Sequence, residues 1–397
     1  HVPVWHSRTE PFRRHGKIKV LGIIQEQHPD RCRLFMQWHQ MDWPVLVDSL
    51  NLLRVAAVPY TILIDETGIV HSINPSQEEF EKFVDSVSSP QEESVDAINV
   101  FTSSPDLEKL KLRASMRQTA EAWAAYADSL FFWGGDLRLD ECVHAYKMAS
   151  SNAPDDGWLH FRLGVAHLKL FDLKQSNSKD FTKAIESWQA ALELDPNQYI
   201  WRRRIQQYGP RLDKPYSFYD WVNQARKEII VRGEKPFPLR VEPGGAEFAY
   251  PAEKNTDSIK KLSEPDPGGR VFRDILPAIQ IESTIVSATD ASKKAIRIHL
   301  RLQPNVAHAF HWNNEAEPLT VWLKSSKGWG SQRVFLQFPN PPMVTDQSPR
   351  SLEFEIVQNM GGNSHELKGY ALYNICEEIN GTCLYRRQDF TIQLTRP

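Results

Sequence analysis

The residues of this sequence best placed to react with each other are two cysteines near its C-terminal end. Cys376 and Cys383 lie in GYALYNICEEINGTCLYRRQDFTIQL (369–394), which alternates in character on both sides of the short polar loop EEINGT. This pattern predicts a β-hairpin with one cysteine on each strand. Directly opposed residues on paired strands have Cα atoms about 4.5–5.5 Å apart, which suits a disulfide. The spacing therefore permits thiol–disulfide chemistry.

Two interpretations of this cysteine pair remain open. Closing a loop of so few residues removes little entropy from the unfolded chain, so the bridge would stabilise weakly and could serve as a redox switch. The alternative is a passive hairpin disulfide in an exported protein. The negative charges of Glu377 and Glu378 disfavour the thiolate of Cys376, which argues against a potent nucleophile.

Composition and motif content argue against several other functions. The 397 residues include 47 basic and 50 acidic side chains, a net charge of −3, which argues against nucleic-acid binding. No apolar run reaches the roughly 18–20 residues of a membrane span. His308 and His311 form a His-x-x-His pair without an evident third ligand, so they are expected in a loop and no metal site is predicted. The glycine turns do not continue into a Gly-Lys-Ser/Thr step, and no cofactor is predicted.

Strand and helix patterns alternate in the N-terminal part of the chain. Strand-like runs occur at 17–24 and 43–48, a helical pattern occurs at 31–40, and residues 58–70 read as two strands joined by an Asp-x-x-Gly turn. Such alternation predicts an α/β layer structure. The whole chain is longer than one ordinary core requires, so several domains are expected.

Two N-terminal segments resemble the secreted thioredoxin-like family of TlpA and ResA. The first residues of VPVWHSRTEPFRR (2–14) resemble the strand before the family's active site, and Thr9 and Phe12 stand at the positions of its two cysteines. In AAVPYTILIDETGIV (56–70), Pro59 stands at the position of the family's cis proline. The resemblance implies a thioredoxin-like domain in which the thiol pair is replaced.

This domain is expected to be incomplete. The family has a helix after its cysteine motif, whereas only RRHG separates Phe12 from Lys17. The upstream strand and helix of a complete domain are absent as well. The N-terminal domain is therefore expected to bind partners rather than to catalyse thiol chemistry.

A helical pattern follows, in which two stretches resemble a tetratricopeptide repeat. They are WLHFRLGVAHL, which contains Gly164, and FTKAIESWQAALELDPNQ. The separation of Cys142 from Pro154 equals that of Ala184 from Pro196, which indicates an earlier copy of the repeat. Gly164 is expected to let the two helices of a repeat approach closely, and Cys142 to be a buried thiol.

Short alternating strands then replace the helical pattern. They are AIRIHLRL, LTVWLKS, RVFLQF, LEFEIV, GYALYNIC and CLYRRQDFTIQL, and they predict an antiparallel β-sandwich. The cysteine hairpin, together with IRIHLRLQPNVAHAFHWNNEAEPLTVWL, resembles the N-terminal domain of DsbD. That periplasmic, immunoglobulin-like sandwich passes electrons from a thioredoxin-like partner to disulfide isomerases. The resemblance implies that Cys376 and Cys383 are a candidate redox pair.

These patterns together predict a multidomain chain with α/β, helical and all-β parts. The predicted division is an incomplete thioredoxin-like domain at 1–95, a linker at 96–115, a TPR-like domain at 116–233, a linker at 234–272 and the sandwich at 273–397. The predicted function is that of a periplasmic or otherwise extracytoplasmic interaction or scaffold protein of the thiol–disulfide redox class. It is expected to bind protein partners through its TPR-like and thioredoxin-like surfaces. The alternatives are an active oxidoreductase that uses Cys376 and Cys383, and a structural subunit of an extracytoplasmic assembly.

Overall fold

The computed structural model of the chain contains helices and sheets arranged in two compact units. The described residues are 2–86, 104–174, 178–214, 218–248, 263–324, 326, 328–331, 333–343, 345–358, 365–377 and 382–394. The first unit comprises His1–Lys174, Lys183–Arg204 and Asp220–Glu242, and the second comprises Gln175–Thr182, Ile205–Tyr219 and Pro243–Pro397. The mixture of helices and several antiparallel sheets agrees with the predicted mixed architecture.

The N-terminal part of the first unit alternates helices with short strands. Its elements are α1 (Val2–Arg14), β1 (Gly22–Ile24), α2 (Pro29–Trp38), β2 (Val45–Val47), β3 (Ile62–Ile64), β4 (Val70–Ile73) and α3 (Gln77–Ser86). Strands β1 and β2 pair in parallel, and α2 provides the crossover that a parallel pair requires. Strands β3 and β4 form an antiparallel hairpin. The Asp65 carboxylate fixes its turn, because it accepts the backbone N–H groups of Thr67 and Ile69 at 2.9 Å each.

The prediction of a strand at the beginning of the chain is wrong, because these residues form α1. Pro3 is tolerated in the first turn, where a backbone N–H has no helical partner to lose. Trp5, Thr9 and Phe12 have the i, i+4, i+7 spacing of one helix face. Trp5 and Phe12 pack against a cluster on β3 and α3, which consists of Leu63, Phe80 and Val84. The spacing that resembles a cysteine motif is therefore the period of an amphipathic helix.

The helical part of the chain contains consecutive helices. They are α4 (Leu107–Arg117), α5 (Ala120–Trp133), α6 (Leu139–Asn152), α7 (Gly157–Lys174), α8 (Ser178–Leu194), α9 (Tyr199–Tyr208) and α10 (Trp221–Val231). Helix α4 begins inside the stretch 96–115 that is predicted as a linker, and residues 96–103 lie outside the described residues. Asp106 caps α4 by accepting the backbone N–H of Lys109 at 3.0 Å.

Gly164 allows α7 and α8 to approach closely, as the sequence predicts. A Cβ atom added to Gly164 would collide with the indole of Trp188 and would lie 3.0 Å from the Ala184 carbonyl oxygen. The Trp188 indole is fully buried and donates its N–H to the Phe161 carbonyl of α7 at 3.2 Å. The glycine thus leaves the space in which a tryptophan of the neighbouring helix is held.

The second unit contains two antiparallel sheets around one core. The strands are β5 (Ile279–Ser287), β6 (Ala295–Pro304), β7 (Phe310–Asn313), β8 (Thr320–Leu323), β9 (Trp329–Ser331), β10 (Phe335–Gln337), β11 (Thr345–Asp346), β12 (Arg350–Gln358), β13 (Glu366–Glu377) and β14 (Cys383–Gln393). One sheet has the order β5-β6-β12-β9, and the other has the order β10-β8-β13-β7-β11, with β14 also paired to β13. Side chains of both sheets share one hydrophobic cluster, which includes Ile298, Phe354, Trp312 and Ile375.

The long strand β13 organises the sheet that carries the cysteines. Strand β14 pairs with β13 over eleven residue pairs and so occupies one of its edges. Strands β8 and β7 pair with different parts of β13 and share its other edge. Each residue of β13 near the cysteine thus has a neighbour on both sides, whereas β14 lies at the sheet margin.

Candidate functional site

Strands β13 and β14 form the hairpin that the sequence predicts, and they carry the two cysteines. Cys376 and Cys383 are opposite each other in the ladder. A disulfide joins them, and their Cα atoms lie 3.9 Å apart. One residue farther, the Glu377 N–H donates to the Thr382 carbonyl at 3.1 Å, which continues the pairing beyond the bridge. Glu378, which the sequence analysis places beside the thiol, lies outside the described residues.

The two cysteines of the bridge differ in exposure. Cys376 lies on β13 between two neighbouring strands and is 6% exposed. Cys383 begins the marginal strand β14 and is exposed. In thiol–disulfide exchange an incoming thiolate attacks one sulfur and the other sulfur leaves as a thiolate. Access therefore favours attack on Cys383, with Cys376 as the leaving group.

Strand β7 places a histidine on the other side of Cys376. His311 pairs with Cys376 across the β7–β13 ladder, and the adjacent pair of Trp312 and Ile375 faces the core. Because side chains alternate between the faces of a sheet, Cys376, Cys383 and His311 lie together on the outer face. His311 is only 7% exposed.

The expectation that His311 lies in a loop is wrong. It belongs to β7, which has only four residues and directly follows a turn of 3₁₀-helix at Val306–His308. A strand of this length contains too few alternations to be distinguished from a turn by pattern alone. The cysteine hairpin could have indicated this strand. Because β14 covers only one edge of β13, the other edge needs a second strand as its partner.

A buried ionic network holds β14 beyond the disulfide. Arg387 donates to the carboxylates of Asp266 at 2.8 Å and Asp389 at 2.7 Å. Its guanidinium also lies 3.7 Å from the centre of the Tyr370 ring. Burial raises the pKa of Tyr370 to about 12, so this phenol stays protonated at neutral pH. Asp266 belongs to the predicted linker 234–272, and its ion pair with Arg387 binds it to the sheet.

The second predicted site, at Thr9, Phe12 and Pro59, contains no thiol. Thr9 is buried, and its hydroxyl donates to a main-chain carbonyl one turn earlier in α1 at 2.8 Å. Phe12 packs edge-on against Phe80 with ring centres 5.8 Å apart. Pro59 lies before β3 and is exposed, and the peptide bond before it is cis, as the resemblance implies. Thr9 and Phe12 thus share a packed helix face, which supplies no nucleophile.

The other two cysteines, Cys32 on α2 and Cys142 on α6, are free and buried. Burial raises the pKa of both thiols, and the negative charge of Glu26 raises that of Cys32 further. A buried thiol that stays protonated at neutral pH is a poor nucleophile. Neither cysteine therefore replaces the thiol pair that the N-terminal segment lacks.

The first unit contains an ionic cluster that the sequence analysis missed. His28, in the loop after β1, lies with Nε2 2.9 Å from the carboxylate of Asp172 on α7 and Nδ1 3.6 Å from that of Glu26. Each of these side chains is at most 15% exposed. Glu26 and His28 are close in sequence, but Asp172 is far away along the chain, so no local pattern indicates the cluster.

The charges of this cluster support one another. Burial alone would lower the pKa of His28, but the hydrogen bond with Asp172 and the nearby carboxylate of Glu26 prevail and raise that pKa. Burial would likewise raise the pKa of Glu26, but the hydrogen bond and positive charge of His28 lower it to about 2. The cluster therefore stabilises the contact between the N-terminal part and α7 in its charged form.

No protein-family model matches this chain, and a search of the curated proteins finds no match. Within the described ranges, no helix combines the length and apolar character that a bilayer span requires. In the same part of the chain, His, Cys, Asp and Glu side chains do not gather in threes that could hold a metal ion. The Cys376–Cys383 hairpin is the feature on which a function can be built.

Proposed function

We propose that this protein is an extracytoplasmic binding protein of the thiol–disulfide redox class, whose Cys376–Cys383 pair exchanges with a dithiol partner protein. The observation that carries the proposal is the exposure of Cys383 beside the burial of Cys376. The resemblance of residues 273–397 to the N-terminal domain of DsbD, an immunoglobulin-like sandwich, supports it. The disulfide itself supports an oxidising compartment, because such bridges persist mainly outside the cytosol.

The exchange reaction follows from the difference in exposure. A thiolate of the partner attacks Sγ of Cys383, the Cys376–Cys383 bond breaks, and Cys376 takes the electron pair as a thiolate. The second partner thiol then attacks the mixed disulfide at the partner's sulfur and releases Cys383. The partner dithiol is oxidised to a disulfide, and the cysteine pair gains two electrons and two protons.

The hairpin is built so that its bridge can open without unfolding. The eleven pairs of the β13–β14 ladder and the Arg387 network hold β14 independently of the disulfide. A bridge across so short a loop also adds little stability through the unfolded state. Loss of the bridge should therefore leave the sheet intact, as a repeatedly reduced pair requires.

The remaining parts of the chain are proposed to bind protein partners. Ile23 and Leu46 are opposite each other on β1 and β2, and they are 45% and 55% exposed. On β3, Ile62 and Ile64 are 41% and 53% exposed. Exposed apolar patches are typical of interaction sites. We assign these surfaces to a thioredoxin-like domain without the family's thiol pair, and we assign α4–α10 to a TPR-like second surface.

A binding protein with a purely structural bridge is the second candidate. It is favoured by the burial of Cys376, since a buried sulfur between two strands is shielded from reductants. In that case the same surfaces would serve a scaffold or a structural subunit, and the disulfide would stay closed in the folded protein.

Reduction in the native state separates these two functions. The folded protein is treated with dithiothreitol and alkylated, and the modified cysteines are identified by peptide mass. The proposal predicts alkylation of the exposed Cys383 after reduction, while the buried Cys32 and Cys142 stay unmodified. These two buried thiols report unfolding in the same sample, so they are an internal control. A bridge that resists until Cys32 and Cys142 also react would establish the structural alternative.

A further inference from the structure

We propose that His311 assists the exchange at the Cys376–Cys383 pair by stabilising the thiolate that leaves at Cys376. This inference rests on the proposed function, because it assigns a role in the same exchange reaction. It concerns a residue that the sequence motifs do not connect to the cysteines.

The register of β13 gives the geometric basis. Cys376 has Cys383 as its partner on β14 and His311 as its partner on β7. Opposed residues of an antiparallel pair have Cβ atoms about 4.5–5.5 Å apart and point to the same side of the sheet. An imidazole reaches across such a distance to a neighbouring sulfur. The three side chains therefore form a row on the outer face, with Cys376 in the middle.

Burial strengthens the influence of His311 on the Cys376 sulfur. Cys376 is 6% exposed and His311 is 7% exposed, so both are largely screened from water. A thiolate released in such surroundings is costly unless a positive charge or a hydrogen-bond donor accompanies it. An imidazolium supplies both, and histidine is the side chain that carries this charge near neutral pH.

The two carboxylates that neighbour His311 in the strand ladder, Glu377 and Asp346, lie on the opposite face of the sheet. Glu377 pairs with Phe310, and Phe310 packs against the hydrophobic core, so both belong to the inner face. On β11, Asp346 pairs with Trp312 on that same inner face and accepts hydrogen bonds from Ser348. In the described ladder, Cys376 is the titratable group that His311 faces across the strands.

A proton moves between His311 and Cys376 during the exchange. When the partner thiolate attacks Cys383, the S–S electron pair moves to Sγ of Cys376, and the imidazolium of His311 donates a hydrogen bond or its proton to that sulfur. Solvent reprotonates the imidazole afterwards. In the reverse reaction, neutral His311 accepts the proton of the Cys376 thiol, and the resulting thiolate attacks the mixed disulfide at Cys383. Atoms and electrons balance with a dithiol as the only co-reactant.

The test uses dithiothreitol as the dithiol and compares the full-length protein with His311→Gln. Rates of native-state reduction are measured from about pH 5.5 to pH 9 and divided by the concentration of dithiothreitol thiolate. In the wild type the normalised rate should fall as pH rises, because the rate depends on the protonated form of His311. In His311→Gln it should be flat and about tenfold lower at pH 5.5, and the two proteins should converge at high pH.

The matched control is His308→Gln. His308 belongs to the same His-x-x-His pair, but it is exposed on a 3₁₀ turn and is not opposite a cysteine. It should retain the wild-type profile. Coincident profiles for wild type and His311→Gln would overturn the role of His311 and leave the exchange function standing. A wild-type disulfide that does not react in the folded protein would instead overturn the exchange function and this inference with it.

A second measurement covers the case in which His311→Gln does not fold. The ring of His311 is titrated by NMR in the oxidised and in the reduced wild-type protein. The titration should move to higher pH after reduction, because the Cys376 thiolate then favours the imidazolium. The ring of His308 should titrate alike in both states. An unchanged His311 titration would contradict the inference without any substitution.

Discussion

The N-terminal segment around Thr9 and the C-terminal hairpin both resemble redox sites in sequence, but they have different structures. In the hairpin, two cysteines lie opposite each other on long paired strands and differ in exposure. In α1, the residues at the cysteine positions lie on a helix face that packs against β3 and α3. The comparison shows that a short spacing match is weak evidence, because i, i+4, i+7 positions are also a helical period. A register between long strands is stronger evidence, because it fixes which side chains meet.

The largest expected effect comes from removing either sulfur of the hairpin. Cys376→Ser and Cys383→Ser should each abolish native-state disulfide exchange, which is measured by mixed-disulfide formation with a dithiol partner. The hairpin cysteine that remains in each variant should differ in its accessibility to alkylating reagents. Iodoacetamide should modify Cys383 in the first variant roughly an order of magnitude faster than Cys376 in the second. Equal rates would remove the asymmetry on which the direction of attack depends.

The next largest effect is on stability and concerns the cluster of Glu26, His28 and Asp172 in the first unit. His28→Ala should lower the free energy of unfolding by about 3 kcal/mol, because it removes the hydrogen-bonded positive partner of the buried Asp172 and one of the positive charges beside Glu26. The matched control is His71→Ala. The pair of His71 with Asp65 also has a short contact, 2.7 Å, but His71 is half exposed, so its loss should cost less than about 1 kcal/mol. Chemical denaturation of both variants decides the comparison, and equal costs would contradict a structural role for the cluster.

The same cluster predicts how stability depends on pH. The pKa of His28 is raised in the folded protein, so its contribution is complete below the unfolded value, about 6.5, and is lost as pH rises through the folded value. The pKa of Glu26 is lowered to about 2, so its contribution is complete above the unfolded value and is lost as pH falls toward 2. The loss of stability above neutral pH should be smaller in His28→Ala. An unchanged slope would show that His28 does not cause it.

A smaller loss of stability is expected from a substitution at the contact between α7 and α8. Gly164→Ala should destabilise the protein by about 1–3 kcal/mol, because its Cβ would collide with the buried indole of Trp188. Gly244→Ala is the control, since a Cβ at Gly244 meets no atom within 4 Å. Its effect should stay within about 0.5 kcal/mol. Thermal unfolding measures both, and a neutral Gly164→Ala would contradict the close helix contact.

The smallest effect tests whether the N-terminal region takes part in the chemistry. Cys32→Ser should leave the rate of disulfide exchange unchanged, because Cys32 is buried in α2 and burial raises the pKa of its thiol. The assay is dithiothreitol reduction of the folded protein, compared with the wild type at one pH. A rate that falls with Cys32→Ser would mean that the N-terminal thiol contributes.

The sequence predicts those features whose pattern extends over many residues. The hairpin of β13 and β14 follows from alternation on both sides of a short polar loop, and the close helix approach at Gly164 follows from the repeated small residues. The prediction of an N-terminal strand is wrong because the spacing of Trp5, Thr9 and Phe12 fits a redox motif and one face of a helix equally well. Its helical character becomes evident from the packing of Trp5 and Phe12 on Phe80, which lies far away along the chain.

The parts of the candidate site that the sequence could not predict depend on long-range pairing. His311 meets Cys376 because β7 occupies the second edge of β13, and neither residue indicates this partner locally. The difference in exposure between Cys376 and Cys383 likewise follows from the order of strands in the sheet. The contact of His28 with Asp172 requires the packing of the loop after β1 on α7.

The reduction potential of the Cys376–Cys383 pair tests the central claim most directly. The folded protein is equilibrated in glutathione buffers of graded potential and alkylated, and the reduced fraction is measured by peptide mass. An exchangeable pair is expected to have a potential near or above about −230 mV, within the range of known thiol–disulfide exchange proteins. A potential below about −300 mV is typical of structural disulfides and would contradict the exchange function.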